Sequence, residues 1–304
     1  MQSIKLSVCC LETFKTVDFM SQWLSPKQVA ESIGVSESSL KRWCDRGVLP
    51  FSRTPGGHRR VPLDGIISYL REQKLDPTRP EILGLPNQSQ VIYSHPAEAL
   101  PGLLNKMLSG DFEGARTILV DLFMKGVKIA DLGDQLLTPV LAQIGEQWAD
   151  GDTEIYEERR AVGVAMRVLH ELSRLLPRPQ EGARVAIGGT VEGDQYSVAT
   201  FLVELTLREL GWSANSLGSN LPLPTMLQAA QDVNPRLFWL SISQIEDVDR
   251  FVDALNQFQS DLAPSIALVI GGRCVNGDLR KRTRFSACCD DLQQLARYVT
   301  SIDS

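Results

Sequence analysis

The sequence has no apolar run that approaches the roughly 20 residues of a membrane-spanning helix. Its first residues mix Lys5, Glu12, Lys15 and Asp18 with short apolar stretches, which is unlike a secretory signal. The 6 cysteines include no C-x-x-C pair, so neither a disulfide framework nor a zinc site is indicated. We therefore expect a cytoplasmic protein with reduced thiols, and we expect residues 1–22 to form a flexible arm.

Acidic residues outnumber basic ones in the chain as a whole, which has a formal net charge of -6. Between Ser36 and Arg60, however, six Lys or Arg residues stand against two acids, Glu37 and Asp45. A local basic patch in an acidic protein is typical of contacts with nucleic-acid phosphates. The candidate DNA-binding residues are these cations and a neighbouring histidine: Lys41, Arg42, Arg46, Arg53, His58, Arg59 and Arg60.

Helix-start and helix-stop signals surround these cations. Ser25 and Gln28 form a Ser-x-x-Gln capping box, and Gly34 marks the end of that first helix. Ser36 is a good cap for a second helix, which Gly47 ends. Two helices joined by about three residues predict a helix-turn-helix.

A turn sequence, Thr54-Pro55-Gly56-Gly57, follows the second helix and separates residues 51–53 from 58–61. It predicts a tight β-hairpin, which we call the wing. Apolar residues at helical spacing over 62–75 predict a third helix that packs on the first two. We call residues 23–75 the head.

The head resembles the winged-helix DNA-binding domain of MerR-type regulators. The alternative interpretation is a solvated surface of an unrelated helical domain. The resemblance rests on Trp43, on Gly47-Val48-Leu49 and on Gly57-His58-Arg59-Arg60.

The remaining chain divides by pattern, and 304 residues are enough for two or three domains. Prolines break residues 76–94, which we interpret as a linker. Long helical periodicity over 95–180 predicts a four-helix bundle. Short apolar runs alternate with helical segments over 181–304, which predicts a flavodoxin-like, Rossmann-type α/β domain with a parallel sheet. We call these last two parts the bundle and the sheet domain.

The ends of the predicted strands are the expected ligand site, since open parallel sheets bind ligands beyond the carboxyl ends of their strands. Leu217 to Pro222, Leu240 to Ser243 and Ile270 to Gly272 resemble the matching loops of cobalamin-binding domains. With the head and the bundle, residues 24–302 resemble the cobalamin-dependent photoreceptor repressors of the CarH type. The resemblance implies a ligand site that includes Ser241, Ser243, Gly271 and Gly272.

Two motifs of that family are altered in this sequence. An upper-face motif, Trp followed after nine residues by Glu-His, is here Trp148 with Glu158-Arg159. The lower-face motif Asp-x-His-x-x-Gly is here Asp194 to Ala199, with Tyr196 at the cobalt-ligating histidine. A phenol of pKa about 10 is usually protonated and is a poor ligand for a transition metal.

These changes favour a linear tetrapyrrole such as biliverdin, which needs no metal ligand and carries two propionates. Arg159 and Arg160 are candidates to bind the propionates, because a guanidinium binds a carboxylate through two hydrogen bonds. Cobalamin bound without the histidine is one alternative, and a solvated charged face at residues 157–160 is another. The candidate chromophore-binding residues are Trp148, Glu158, Arg159, Tyr196, Ser241, Ser243, Gly271 and Gly272.

Haem is a third ligand candidate, with His170 or Tyr196 as axial ligand. His170 has the alternative interpretation of a surface histidine near the end of a helix. Cys288 and Cys289 fall where the last loop of the cobalamin-binding fold usually has Gly-Ala. They are candidates for thioether attachment of a chromophore, or they are small buried residues without such a role.

The function predicted from these features is transcriptional regulation, most simply repression, by a non-enzymatic homo-oligomer that binds operator DNA and responds to light or to a tetrapyrrole. One alternative is a regulator that binds no small molecule. Another, from the enzyme class, is a subunit of a cobalamin-dependent mutase or methyltransferase. The head favours regulation, because such subunits have no DNA-binding module.

Overall fold

A computed structural model describes residues 22–87, 93–151 and 153–302. The expectation of a flexible arm at residues 1–22 lies almost wholly outside the described residues. The head contains three helices and a three-stranded antiparallel sheet in the order β1-β3-β2. Its elements are β1 (Trp23–Leu24), α1 (Pro26–Ile33), α2 (Glu37–Asp45), β2 (Ser52–Arg53), β3 (Arg59–Pro62) and α3 (Leu63–Gln73).

The predicted caps hold the first two helices. Ser25 Oγ accepts a hydrogen bond from Gln28 N at 3.3 Å, and the Gln28 side chain accepts one from Ser25 N at 2.9 Å. Gly34 ends α1 with a φ of 73°, in the left-handed region that favours glycine. Ser36 Oγ accepts from Ser39 N at 3.1 Å at the start of α2. Both helix starts are confirmed.

The wing is a hairpin, as predicted. Arg53 pairs with Arg59 across it, and the turn is closed by Thr54 N, which donates to His58 O at 2.9 Å. Gly57 has a φ of 78° and donates to Thr54 O at 2.8 Å. The tip of the wing therefore presents exposed backbone and His58 to solvent.

The predicted linker packs more closely than expected. A short 3₁₀ helix, Pro80–Leu83, lies against α1, and Leu83 and Leu85 are buried. Arg79 N donates to Ser32 O at 3.0 Å. The apolar side chains between the prolines explain this packing, since they find a buried surface on the head.

The helices of the bundle are separated at three short breaks that contain Gly110, Gly126 and Gly151. Asp111 Oδ1 caps α5 by accepting from Gly114 N at 2.8 Å, and Gly126 and Gly151 have φ values of 94° and 82°. A π-helical turn, Gly133–Leu137, joins α6 to α7. The helices are α4 (Leu100–Ser109), α5 (Phe112–Met124), α6 (Ile129–Leu132), α7 (Thr138–Ala149) and α8 (Ile155–Leu175).

The sheet domain has a five-stranded parallel sheet in the order β5-β4-β6-β7-β8, flanked by helices, so the predicted fold class is confirmed. The strands are β4 (Val185–Thr190), β5 (Ser213–Ser216), β6 (Leu237–Ser241), β7 (Ala267–Gly271) and β8 (Ala287–Cys289). The helices are α9 (Ser197–Glu209), α10 (Leu223–Val233), α11 (Val248–Asp261), α12 (Gly277–Arg282) and α13 (Leu292–Ile302).

The fifth strand is a correction to the sequence interpretation, which placed Cys288 and Cys289 in a loop. Both cysteines lie in β8, which pairs with β7. The strand has only three residues, so it leaves no alternating or continuous apolar pattern long enough to detect.

The apolar core joins the head to the bundle. One cluster of buried side chains runs from Leu40 and Ile66 of the head through Phe123 and Leu169 of the bundle to Leu205 of α9. The two faces of the parallel sheet have separate clusters, one under α10 and α11 and one under α9 and α13. Head and bundle therefore form one packed unit that rests on α9 of the sheet domain. None of the helices that the structure describes combines the length and apolarity of a bilayer crossing.

Candidate functional site

The predicted DNA-contacting cations of α2 lie on the surface of the head. Arg42 and Arg46 are exposed, and an Arg42 Nη donates to Ser39 Oγ at 3.3 Å. Lys41 is also exposed, but its Nζ lies 2.7 Å from Glu37 Oε1, one helical turn earlier. The side chains with the most freedom to reach phosphates on this helix are thus Arg42 and Arg46.

Arg59 connects the wing to α2. An Arg59 Nη lies 2.6 Å from Asp45 Oδ1, and its guanidinium carbon lies 5.6 Å from the centroid of the Phe51 ring. Arg59 and Arg60 are half-buried, whereas Arg53 and His58 are exposed. Arg59 therefore fixes the position of the wing, and Arg53 is the more exposed cation there.

In the sheet domain, the strand order changes direction between β4 and β6, the usual place for a ligand in such folds. Asp194 is fully buried in the loop after β4. Its Oδ1 accepts from Tyr196 N at 3.0 Å, and its Oδ2 accepts from Ser243 N at 2.5 Å and from Gln244 N at 3.3 Å. This carboxylate joins the two loops and is satisfied by backbone N–H groups.

A cavity of about 460 Å³ lies between the sheet and helices α9 and α13, next to the loops that follow β6 and β7. Four predicted residues line it: Ser241, Ser243, Gly271 and Gly272. Most of its wall is apolar and includes Leu202, Val203, Trp239, Val269 and Leu295.

The two glycines of the cavity wall are required by close backbone contacts. A Cβ at Gly271 would lie 2.6 Å from Cys289 O, and one at Gly272 would lie 2.5 Å from Ile242 O. Gly272 also has a φ of 112°. Any larger residue would displace the strand ends that shape the cavity.

The predicted residues of the bundle and of the β4 loop do not line this cavity. Trp148 and Tyr196 are exposed by 47% and 43%. The Arg159 side chain is exposed by 74%, with Nε 3.5 Å from Glu158 Oε2. Arg159 precedes the buried Ala161 by two positions, so it lies about 200° around α8 and points away from the bundle core.

Arg160 packs along the bundle. It donates to Leu108 O, lies 3.6 Å from Glu157 Oε1 and places its guanidinium carbon 5.6 Å from the centroid of the Tyr156 ring. These contacts hold Arg160 against the end of α4. They account for its charge without a ligand.

The haem candidates do not converge on one site. His170 is exposed, and its ring lies 4.7 Å from that of Phe201. Tyr196 lies under the guanidinium of Arg273, whose central carbon is 4.5 Å from the ring centroid. Within the described residues, no group of three or more His, Cys, Asp or Glu side chains could hold a metal ion.

The cysteines of β8 are weak nucleophiles in this environment. Burial raises the pKa of Cys288, and burial together with the neighbouring Cys288 and Asp291 raises the pKa of Cys289 to about 11. Both thiols are therefore protonated near neutral pH. Cys289 lines the cavity.

Two residues at the cavity had no role in the sequence interpretation. Arg273 donates from Nε to Ser243 O at 2.8 Å, and Asp134 accepts from Leu292 N and Gln293 N, each at 3.0 Å. Burial raises the pKa of Asp134. An arginine directly after Gly-Gly at a strand end was a usable signal for Arg273. Asp134 gave none, because its partners lie far away in the sequence.

Comparison with protein families matches the two parts of the chain separately. A helix-turn-helix domain model matches residues 23–74, and a B12 binding domain model matches residues 100–172, which lie within the bundle. The chain joins a helix-turn-helix domain to a cobalamin-binding-type domain.

The same combination is reflected in its relatives. The chain is 22% identical to the HTH-type transcriptional repressor CarH of Myxococcus xanthus over 262 residues, 80% of this chain and 86% of that protein. It is 20% identical to trimethylamine corrinoid protein 1 of Methanosarcina acetivorans over 172 residues, 55% of this chain and 80% of that protein. The similarity to the CarH repressor thus extends over most of the chain.

The fold of the bundle and sheet domain has a solved counterpart. The Methanosarcina barkeri monomethylamine corrinoid protein superimposes with a TM-score of 0.57 and 16% identity, and the match covers 66% of this chain and 96% of that chain. The two proteins share the fold.

Proposed function

We propose that this protein is a transcriptional regulator, most simply a repressor, whose DNA binding responds to a tetrapyrrole held in the cavity of the sheet domain. The observation that carries the proposal is the common core of head and bundle, which rests on the α9 helix that also walls the cavity. Because the head shares this core with α9, a ligand that displaces α9 alters the surface against which the head packs. The similarity to CarH supports DNA binding and regulation, and it favours regulation over a role as a methyltransferase or mutase subunit.

The ligand that we favour is a metal-free linear tetrapyrrole such as biliverdin. Histidine-ligated cobalamin does not fit the residues present, because Tyr196 stands at the ligand position and its ring is covered by Arg273. The apolar cavity wall and its narrow glycine-lined end suit a flat, apolar molecule. Cobalamin held without a protein ligand to cobalt is the second candidate, and the B12 binding domain match favours it.

Light is the proposed input, because a conjugated tetrapyrrole absorbs visible light and the CarH resemblance implies a photoreceptor. The proposed readout is a change in the assembly of the protein on DNA. One head offers a single small contact surface, so we propose that at least two copies bind a symmetric operator.

The direct test is an absorption spectrum of the protein purified from cells supplied with biliverdin, and separately from cells supplied with cobalamin. We expect a bound visible chromophore in the biliverdin preparation. A chromophore in the cobalamin preparation alone would identify cobalamin, and not biliverdin, as the ligand. Colourless protein from both would contradict a tetrapyrrole sensor.

A further inference from the structure

The carboxylates around the cavity already have partners. Asp134 accepts from the first N–H groups of α13, and Asp291 Oδ1 accepts from Gln294 N at 2.6 Å. Asp290 pairs with Arg280. These carboxylates therefore stabilise the fold and are not free to bind a ligand.

Two serine hydroxyls at the cavity, by contrast, have no hydrogen-bond partner among the described residues. Ser241 and Ser243 are exposed by only 5% and 9%, and both line the cavity. Neither side-chain hydroxyl makes a hydrogen bond with any residue of the described ranges, although buried polar groups are normally paired. They are available to a ligand.

Arg273 is the cation at the mouth of this cavity. Its Nε is bonded to Ser243 O at 2.8 Å, and its guanidinium stacks on Tyr196 at 4.5 Å. The two terminal nitrogens have no hydrogen-bond or ion-pair partner in the part of the chain that the structure describes. A guanidinium fixed in this way presents a fork that matches a carboxylate.

We propose that Arg273 binds a carboxylate of the cavity's ligand, while Ser241 and Ser243 bind its polar edge. The ligand is then an acidic, mainly apolar molecule, and Arg273 rather than Arg159 determines its charge specificity. This inference rests on the proposed function, because it concerns the same ligand. It accounts for a cation that lies beside an apolar wall, unpaired hydroxyls and glycine-lined strand ends.

The experiment compares biliverdin with biliverdin dimethyl ester, in which both propionate carboxylates are replaced by neutral methyl esters. Each is titrated by absorbance into the full-length protein, R273A and the matched control R159A. We expect the parent and R159A to prefer the free acid by about tenfold to a hundredfold, the scale of one charge-assisted hydrogen bond. In R273A the two pigments should bind with nearly equal affinity.

Two further variants separate charge recognition from folding. R273K keeps the charge without the fork and should retain part of the preference for the free acid. S241A/S243A should weaken both pigments by the same factor and leave that preference unchanged. Thermal melting of each apo-protein, matched to the parent, shows that the variants fold.

The outcomes distinguish this inference from the proposed function. Equal affinity of the parent for acid and ester, or an undiminished preference in R273A, overturns the inference and leaves a tetrapyrrole regulator. Uptake of adenosylcobalamin alone, in a third titration, also overturns it while retaining that regulator. Uptake of none of the three overturns both.

Discussion

At the residue scale, Tyr196 shows which features of the site the sequence predicts and which it does not. Under the resemblance to cobalamin-binding domains, spacing from Asp194 places Tyr196 at a histidine position, so the sequence alone predicts the loss of a cobalt ligand. The stacking of Arg273 on that tyrosine is not visible, because the two residues come from different loops. Arg159 is the converse case, since its sequence position matched a motif but its helical phase directs it to solvent.

The first prediction concerns the exposed cations of the head. Arg42→Ala and Arg53→Ala should each weaken binding to all DNA sequences, because phosphate contacts are sequence-independent. Each lost contact should reduce the slope of log affinity against log salt by about 0.9. Arg284→Ala, an exposed arginine of the sheet domain, is the matched control and should change neither quantity. Unchanged salt slopes in both head variants would exclude these two arginines from the DNA interface.

The second prediction concerns covalent attachment of a chromophore. With the pKa of Cys289 at about 11, roughly one thiol in a thousand is ionised at pH 8, and thiolate is the reactive form. We expect the denatured protein to have its unmodified mass after loading with biliverdin. Iodoacetamide labelling of Cys289 should accelerate about a hundredfold between pH 7 and pH 9. A mass increase of one pigment that disappears in C289A would contradict this.

At the scale of elements, local signals predicted most boundaries. Capping residues, left-handed glycines and the turn of the wing act within a few residues, so sequence alone located α1, α2 and the hairpin. The π-helical turn at Gly133–Leu137 gave no such signal. Asp134 in this turn accepts hydrogen bonds from the start of α13, and local sequence signals do not reveal a contact with so distant a partner.

The third prediction is that Asp134 fastens the bundle to the sheet domain. Asp134→Ala leaves two backbone N–H groups without their acceptor, which should cost about 1–3 kcal/mol in the free energy of unfolding. Asp131→Ala is the matched control and should cost less, since Asp131 accepts from the side-chain amides of Gln135 and Gln293 and from no backbone N–H group of the described residues. Urea denaturation measures both. An equal loss of unfolding free energy in the two variants would mean that Asp134 does not fasten the bundle to the sheet domain more strongly than Asp131 does.

At the scale of the whole molecule, Arg71 brings three parts of the chain together. Extending from α3 of the head, it donates to Phe123 O at 2.8 Å and Val127 O at 3.1 Å in the bundle, and it pairs with Glu209 of α9 at 3.0 Å. Glu209 also accepts from Ile129 N at 2.8 Å. Composition and periodicity could not predict this contact, because it depends on how the folded head, bundle and sheet domain pack against one another.

The fourth prediction is that this pair holds the head in place. The Arg71 and Glu209 side chains are exposed by 13% and 8%, and removing one partner of a largely buried pair typically costs about 3–5 kcal/mol. Arg71→Ala should therefore lower the urea midpoint and accelerate proteolysis within residues 76–94.

The control for this interface is Arg178→Ala. Arg178 also connects head and bundle, but its Nε lies 3.9 Å from Asp64 Oδ2 and its side chain is 40% exposed, so the loss should stay below about 1 kcal/mol. The Arg71→Ala, Glu209→Ala double variant should reveal a coupling of about 0.5–3 kcal/mol. Additive losses would mean that the pair does not hold the head.

The central claim is that a ligand in the sheet domain changes DNA binding by the head. The most direct measurement is the affinity of the full-length protein for a DNA fragment that it selects from a random-sequence library, at one salt concentration, without ligand and then saturated with biliverdin or adenosylcobalamin. Coupling between two sites in one protein typically amounts to about 5–150-fold. We predict a change within this range for the pigment that the protein binds. A DNA affinity that stays the same under a saturating, spectroscopically verified ligand would contradict the claim.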